Sequence, residues 1–253
     1  MDIWVYIIAV LGGFLAGVVN TLAGNGSAIT LSIFTELFGL PGNIANGTNR
    51  VGILFQSWTS SFGFIKNGRV NKVPYTWLYI ATATIGAVAG VFVALSVTND
   101  QFLEVFRYLL LVMLLVILVN PKRWLIKTDV NRMPNLWLSL PCFLGLGFYG
   151  GFIQMGMGVF FLVVTVLIMK INIIDANALK TIIIALYTII VVFIFHRNGL
   201  IAWQLGLTVA IGQSVGGYLT ADLSSKYPQA DKWAYRLLIL VIVIAVLSSF
   251  DIF

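Results

Sequence analysis

Long apolar runs separated by short polar clusters dominate the sequence and constrain the fold more than any other feature. Of the 253 residues, 60% are hydrophobic and 9% are charged, whereas a soluble domain has about 25% charged residues. Runs such as WLYIATATIGAVAGVFVAL approach the roughly 20 residues with which a helix crosses the hydrocarbon core. Such helices satisfy their own backbone hydrogen bonds in lipid, and the runs lack the period-two alternation of barrel strands. The sequence therefore predicts an all-α polytopic membrane protein.

Breaks at polar, Gly and Pro clusters divide the chain into ten candidate helical segments. Their approximate ranges are 3–22, 26–38, 47–65, 74–97, 102–119, 136–155, 158–170, 176–195, 201–222 and 233–250. The second and seventh segments have only about 13 residues, against the roughly 20 that a span needs. We expect them to be short or broken helices near the midplane, and leave open whether they cross the membrane fully.

The two halves of the chain share a weak internal repeat. Asn67-Gly68 aligns with Asn198-Gly199 at an offset of 131 residues. Gly86 and Gly90 match Gly212 and Gly216, two patterns suited to close helix packing. Five segments in each half make the second repeat run opposite to the first, which is an inverted repeat. We therefore predict a first transmembrane repeat at 1–119, a linker at 120–135 and a second, inverted repeat at 136–253.

Basic residues predict the orientation of these repeats. They cluster in the connections near 66–72, 122–132 and 226–236, which the positive-inside rule assigns to the cytoplasm. Both termini are then expected outside, in a bacterial plasma (inner) membrane. The net charge of +6 is explained by these clusters, so we expect the lipid bilayer and no nucleic acid as partner. One cysteine and one histidine are too few to form a metal site, and we expect no cofactor. Assembly as a homo-oligomer stays open.

A Gly-interrupted polar stretch lies inside an apolar run in each half. Gly24 and Gly26 flank Asn25 in AGNGSA, and Gly156 and Gly158 interrupt the second half. Paired breaks of this kind are typical of a secondary transporter's binding site. The freed N–H groups need partners in lipid, and a helix N-terminus favours negative charge. We therefore predict a small anion cage where the breaks meet, with close glycine packing as the alternative.

Amides and hydroxyls accompany these breaks, which apolar packing alone does not require. They are Asn20, Asn25, Ser27, Asn46, Thr48 and Asn49 in the first half and Gln154 in the second. Arg50 begins the third segment about 22 Å into the membrane at 1.5 Å per residue, and Lys180 lies at nearly the equivalent place in the other half. An intramembrane cation is costly and indicates function; snorkelling to the interface is the alternative. Glu36 and Asp175 lie at segment ends, where we expect them to be interfacial.

These residues resemble a known family, the sulfite exporter TauE/SafE (TSUP) family. The resemblance lies in GFLAGVVNTLAGNGSAITL closed by Pro41, in NGTNR at 46–50, in the NG turn after the third segment, and in GGFIQMGMGVFF with DANALK. Family members are bacterial and plant membrane proteins associated with export or uptake of sulfite, sulfoacetate and other small anions. The resemblance implicates Gly24 to Ser27, Asn46, Thr48, Asn49 and Arg50, and then Gln154, Gly156, Gly158, Asn177 and Lys180.

Together these observations predict a secondary transporter of sulfite or a related small sulfur-containing anion. We expect it to be an exporter that works by alternating access around a central anion site. An anion channel or a transporter of small organic carboxylates or sulfonates is the alternative. An intramembrane enzyme would need a base near its nucleophile, and Ser27 with His196 is the available pair. A membrane subunit that only scaffolds a partner would tolerate replacement of Arg50 and the amides.

Overall fold

Helices form nearly all of the computed structural model, which describes residues 3–70, 73–96, 114–115, 124–125, 134–227 and 229–249. The described helices are α1 (Ile3–Leu22), α2 (Gly26–Ser32), α3 (Gly42–Lys66), α4 (Thr76–Ala94), α5 (Leu136–Phe152), α6 (Met157–Leu162), α7 (Ile173–Arg197), α8 (Trp203–Lys226) and α9 (Ala230–Ser249). Three of them, α1, α4 and α7, are long and apolar enough to cross a membrane by length and composition. The predicted all-α class is confirmed.

The two segments predicted to be short are short. Helices α2 and α6 have seven and six residues, and each continues into a π-helical turn, Ile33–Leu37 and Val163–Ile168 respectively. Such turns are rare and occur frequently at functional sites. Most of the predicted segment 102–119 and most of the linker 120–135 lie outside the described residues.

Helices α3 and α7 begin earlier than the sequence predicts. Helix α3 starts at Gly42, directly after Pro41, although its first two turns are rich in Gly and Asn. Helix α7 starts at Ile173, because the side chain of Asn172 accepts a hydrogen bond from the backbone N–H of Ile174 and so caps the helix. Polar residues in or just before the first turns of both helices made these turns resemble loops in the sequence.

Glycines let two helix pairs approach closely. Helix α1 packs mainly against α8, and α4 packs mainly against α5. A Cβ at Gly86 or Gly90 would overlap the backbone of α5, and one at Gly212 or Gly216 would overlap the backbone of α1. The prediction that these four glycines serve close packing is confirmed, and the two pairings correspond between the halves of the chain.

Helices α3 and α7 lie beside each other and run antiparallel. The start of α3 contacts the turn after α7, where the backbone N–H of Ala202 donates to Thr48 Oγ1 at 2.9 Å. At the other end, Arg69, just after α3, pairs with Asp175 in the first turn of α7 at 3.4 Å. The two breaks lie against these helices, since α2 contacts α3 and α6 contacts α7.

Candidate anion site at the two helix breaks

The two helix breaks touch each other in the buried interior. Gly24, with φ +83°, and Gly158 pack so tightly that a Cβ on either would overlap the backbone of the other. Gln154, before the second break, also has a positive φ of +70°, which costs a non-glycine residue about 1–2 kcal/mol and is common at functional sites. The structure thus brings the predicted breaks together, but the glycine contact itself leaves no room for a ligand.

Arg50 reaches from α3 to the C-terminal end of α5. It is 0% exposed, and its guanidinium donates to the carbonyl oxygens of Gly150 and Gly151, the second at 3.2 Å. It also donates to Gln154 Oε1 at 2.8 Å and to Asn46 Oδ1 at 3.3 Å. Because a helix C-terminus carries partial negative charge, the guanidinium is stabilised there without a carboxylate.

Lys180 binds a helix end in the other half of the chain, because it reaches from α7 to the C-terminal end of α1. Its ammonium, on α7, donates to the carbonyl oxygens of Asn20 and Thr21 at the end of α1, at 2.9 and 3.2 Å, and to Asn177 Oδ1. Lys180 is 1% exposed. Both cations are buried and bind helix ends, so the structure does not support snorkelling for Arg50 or Lys180.

An asparagine accompanies each cation and makes a matching contact. Asn46 Nδ2 donates to the carbonyl oxygen of Phe152 at 3.4 Å, and Asn177 Nδ2 donates to that of Leu22 at 3.0 Å. Each half of the chain therefore uses a cation and an asparagine to bind the end of the helix that precedes the break in the other half. These contacts position the two breaks against each other.

Three buried hydrogen-bond donors near the two breaks have no partner among the described residues. They are Ser27 Oγ, Asn49 Nδ2 and Arg50 Nε. Thr30 connects two of these residues, because its Oγ1 lies 2.6 Å from Asn49 Oδ1 and 3.2 Å from the backbone oxygen of Ser27. A buried donor left unsatisfied costs about 1–3 kcal/mol. Donors of this kind beside a fixed cation suit a ligand that brings several acceptors, such as an oxyanion.

Comparison with known proteins identifies the family. The profile of the sulfite exporter TauE/SafE family matches residues 9–250. The chain belongs to this family. It is similar to "Probable membrane transporter protein ORF9" of Sinorhizobium sp., with 26% identity over 220 residues that cover 87% of this chain and 82% of the relative. It is also similar to "Probable membrane transporter protein" of Haemophilus influenzae, with 26% identity over 225 residues that cover 88% and 87%. No solved structure matches.

The other predicted site residues of this TauE/SafE protein have structural contacts. Asn20 Nδ2 donates to Gln56 Oε1 at 2.6 Å, and a Cβ at Gly26 would overlap the backbone of Ala16. Gly156, with φ +73°, precedes the first residue of α6. Asn25 Oδ1 has no hydrogen-bond partner in the described parts of the chain. The hydroxyl of Thr48 accepts a hydrogen bond from the backbone N–H of Ala202 in the turn after α7.

Sequence analysis missed several buried polar residues near the breaks. Gln56 falls on the face of α3 that carries Asn49, and its Nε2 donates to Thr21 Oγ1 at 3.1 Å; helical spacing could have identified it. Tyr187 donates to Gln154 Oε1 at 3.1 Å, but a tyrosine inside an apolar run gives no signal. Gln213, in the middle of α8, is also buried.

Two further expectations changed with the structure. Asp175, expected at an interface, is 2% exposed because Arg69 lies against it. His196 is exposed at the end of α7, where its Nδ1 accepts from Trp203 Nε1 at 3.1 Å, whereas Ser27 is buried at the start of α2. The described residues therefore do not place His196 as a base for Ser27.

An apolar crevice lies apart from the breaks, between α3, α4 and α7. It has a volume of about 870 Å³, and Trp58, Phe62, Trp77 and Leu186 are among its lining residues. None of the predicted site residues lines it, and its apolar lining does not suit an anion. The breaks, rather than this crevice, are the candidate site.

Proposed function

We propose that this TauE/SafE family protein is a secondary transporter that exports sulfite, or a related small sulfur-containing anion, by alternating access. The family is described as a sulfite exporter family, and both relatives have the names of probable membrane transporters. The observation that carries the proposal is the set of buried donors on Ser27, Asn49 and Arg50 near the two breaks, which have no partner among the described residues.

The charges around this set favour an anion over a cation. Arg50 and Lys180 are both buried. Among the described residues, the one buried carboxylate is Asp175, which is paired with Arg69. Sulfite has three oxygens that accept hydrogen bonds, and charge-assisted hydrogen bonds from arginine are roughly twice as strong as neutral ones. The proposed ligand site therefore offers donors and positive charge to an oxyanion, and the described part of the chain places no free carboxylate there to repel it.

The matched contacts of the two halves support the alternating-access part of the proposal. The antiparallel packing of α3 and α7, the corresponding helix pairs and the reciprocal bonds of Arg50 and Lys180 are features expected of two inverted repeats. On this proposal, residues 1–119 and 136–253 rock against each other around a central anion site. The protein would lie in the bacterial plasma membrane with both termini outside.

Asn49→Asp is expected to weaken sulfite binding to the purified protein by about 100-fold, because the loss of a donor is combined with a new negative charge facing the anion. The substitution keeps Oδ1, which accepts from Thr30, and replaces the unpartnered Nδ2 by an oxygen. Calorimetry with sulfite, sulfate and acetate measures the effect, and the wild type should prefer sulfite.

Asn43→Asp is the matched control on the same helix. Asn43 is exposed in the first turn of α3, and its Oδ1 accepts from the backbone N–H of Ile44, so sulfite binding should not change. Equal affinity of wild type and Asn49→Asp for sulfite would contradict the assignment of the site. Counterflow of labelled sulfite in proteoliposomes separates a transporter from a channel, since only a transporter gives saturable exchange. Preference for acetate would favour the carboxylate alternative.

A further inference from the structure

Gln213 is a buried polar residue in the middle of α8 that the helix contacts do not explain. It is 0% exposed, and neither Nε2 nor Oε1 has a hydrogen-bond partner among the described residues. Helix α8 packs between α1 and α3. An amide placed in a nonpolar interior without partners costs roughly 2–7 kcal/mol, depending on the reference state.

Two glycines make room for Gln213, one for its backbone and one for its side chain. A Cβ at Gly17 of α1 would overlap the backbone of Gln213, and a Cβ at Gly52 of α3 would overlap Gln213 Oε1 itself. The end of the amide therefore lies directly against the backbone of α3 at Gly52. A side chain at position 52 would occupy the space that the amide now fills.

Position 52 places the Gln213 amide beside the proposed anion site. Residues three or four apart share one face of a helix, so Asn49, Gly52 and Gln56 follow each other along one face of α3. Asn49 carries an unpartnered donor, and Gln56 binds Asn20 of α1. On α1, Gly17 precedes Asn20 by three residues in the same way. The amide of Gln213 thus lies between the turn of α3 that carries Asn49 and the turn that carries Gln56, on the side of α3 that contacts α1.

We propose that Gln213 is a ligand-contacting residue that donates Nε2 to the transported anion and helps to set which anions are accepted. The inference rests on the proposed function and adds α8 as a third element of the site. Gly52 contributes to the proposed contact, because the absence of a side chain at position 52 allows the Gln213 amide to lie against α3.

Gln213→Leu separates ligand contact from structural support. Leucine removes an unpaired amide and keeps an apolar contact, so the purified variant should melt at or above the wild-type temperature. Sulfite affinity should fall by about tenfold or more, the effect of losing a hydrogen bond to a charged group, and the preference for sulfite over acetate should change. Gln204→Leu, an exposed glutamine on the same helix, is the matched control and should leave affinity and preference unchanged.

Gly52→Ala gives an independent test through the same amide. The three atoms nearest to the added methyl all belong to the far end of the flexible Gln213 side chain, so the fold should tolerate the methyl while the amide is displaced. Sulfite affinity should fall, and in a Gln213→Leu background the same change should cost little more, because the two residues act as a unit. Unchanged sulfite affinity in both single variants, with sulfite binding by the wild type, would overturn the inference alone. Absence of anion binding by the wild type would instead overturn the proposed function.

Discussion

Arg50→Met is expected to abolish anion transport and to lower the melting temperature of the purified protein by about 10 °C. The substitution removes four hydrogen bonds, two of them to carbonyl oxygens at the end of α5. Acceptors left unsatisfied cost about 1–3 kcal/mol each, and 1 kcal/mol corresponds to roughly 2–4 °C in a protein of this size. Differential scanning fluorimetry and proteoliposome flux measure the two effects.

Arg50→Lys should separate the two roles of this residue. Lys180 shows that an ammonium can bind two carbonyl oxygens and one amide at a helix end, so the lysine variant should melt close to the wild type. It lacks Nε, the donor that has no partner in the described structure, and should bind sulfite about tenfold more weakly.

The control for Arg50→Met is Arg197→Met, which changes an exposed arginine at the end of α7. It should leave flux and melting temperature nearly unchanged, because exposed charges contribute little to stability. Wild-type flux in Arg50→Met would show that Arg50 does not serve the anion and would favour the scaffolding interpretation, and a wild-type melting temperature would show that it does not stabilise the helix end.

The sequence predicts where the cations lie better than it predicts what they bind. Depth counted along each segment placed Arg50 and Lys180 inside the membrane, and both are buried. Their partners are backbone carbonyl oxygens of the other half. A contact between residues about 100 or more positions apart depends on how the helices pack, and no local pattern in a single sequence records it. The sequence therefore predicted two intramembrane cations, and the structure shows that each of them binds a helix end.

The polar residues that were missed have the same explanation. Gln213 stands in the middle of α8, and its importance depends on Gly17 and Gly52, which are distant in sequence. Tyr187 becomes part of the site only because α7 packs against the second break. By contrast, the breaks themselves were predictable, because Gly24 and Gly158 combine small size with an interruption of apolar runs.

Gly24→Ala and Gly158→Ala are each expected to prevent folding or to lower the melting temperature by about 10 °C. At Gly24 a Cβ would overlap the backbone of Gly158, and at Gly158 it would overlap that of Gly24. Inserting atoms into a packed interior costs typically 1–3 kcal/mol and occasionally more, and backbone atoms cannot rotate away as a side chain can. Expression level and melting temperature in detergent are the measurements.

Gly39→Ala and Gly145→Ala separate the overlap from backbone strain. Gly39 has φ +65° with no atom within 4 Å of an added Cβ, so alanine there bears only the strain of that conformation, about 1 kcal/mol. Gly145, inside α5, also has open space around an added Cβ, and alanine should stabilise that helix by about 1 kcal/mol. If Gly24→Ala cost no more than Gly39→Ala, the breaks would not be packed as described. A large loss of stability from alanine at both Gly24 and Gly158 would indicate that the contact between the breaks holds the two halves together. Gly158 has no positive φ, so backbone strain would not explain the loss at that position.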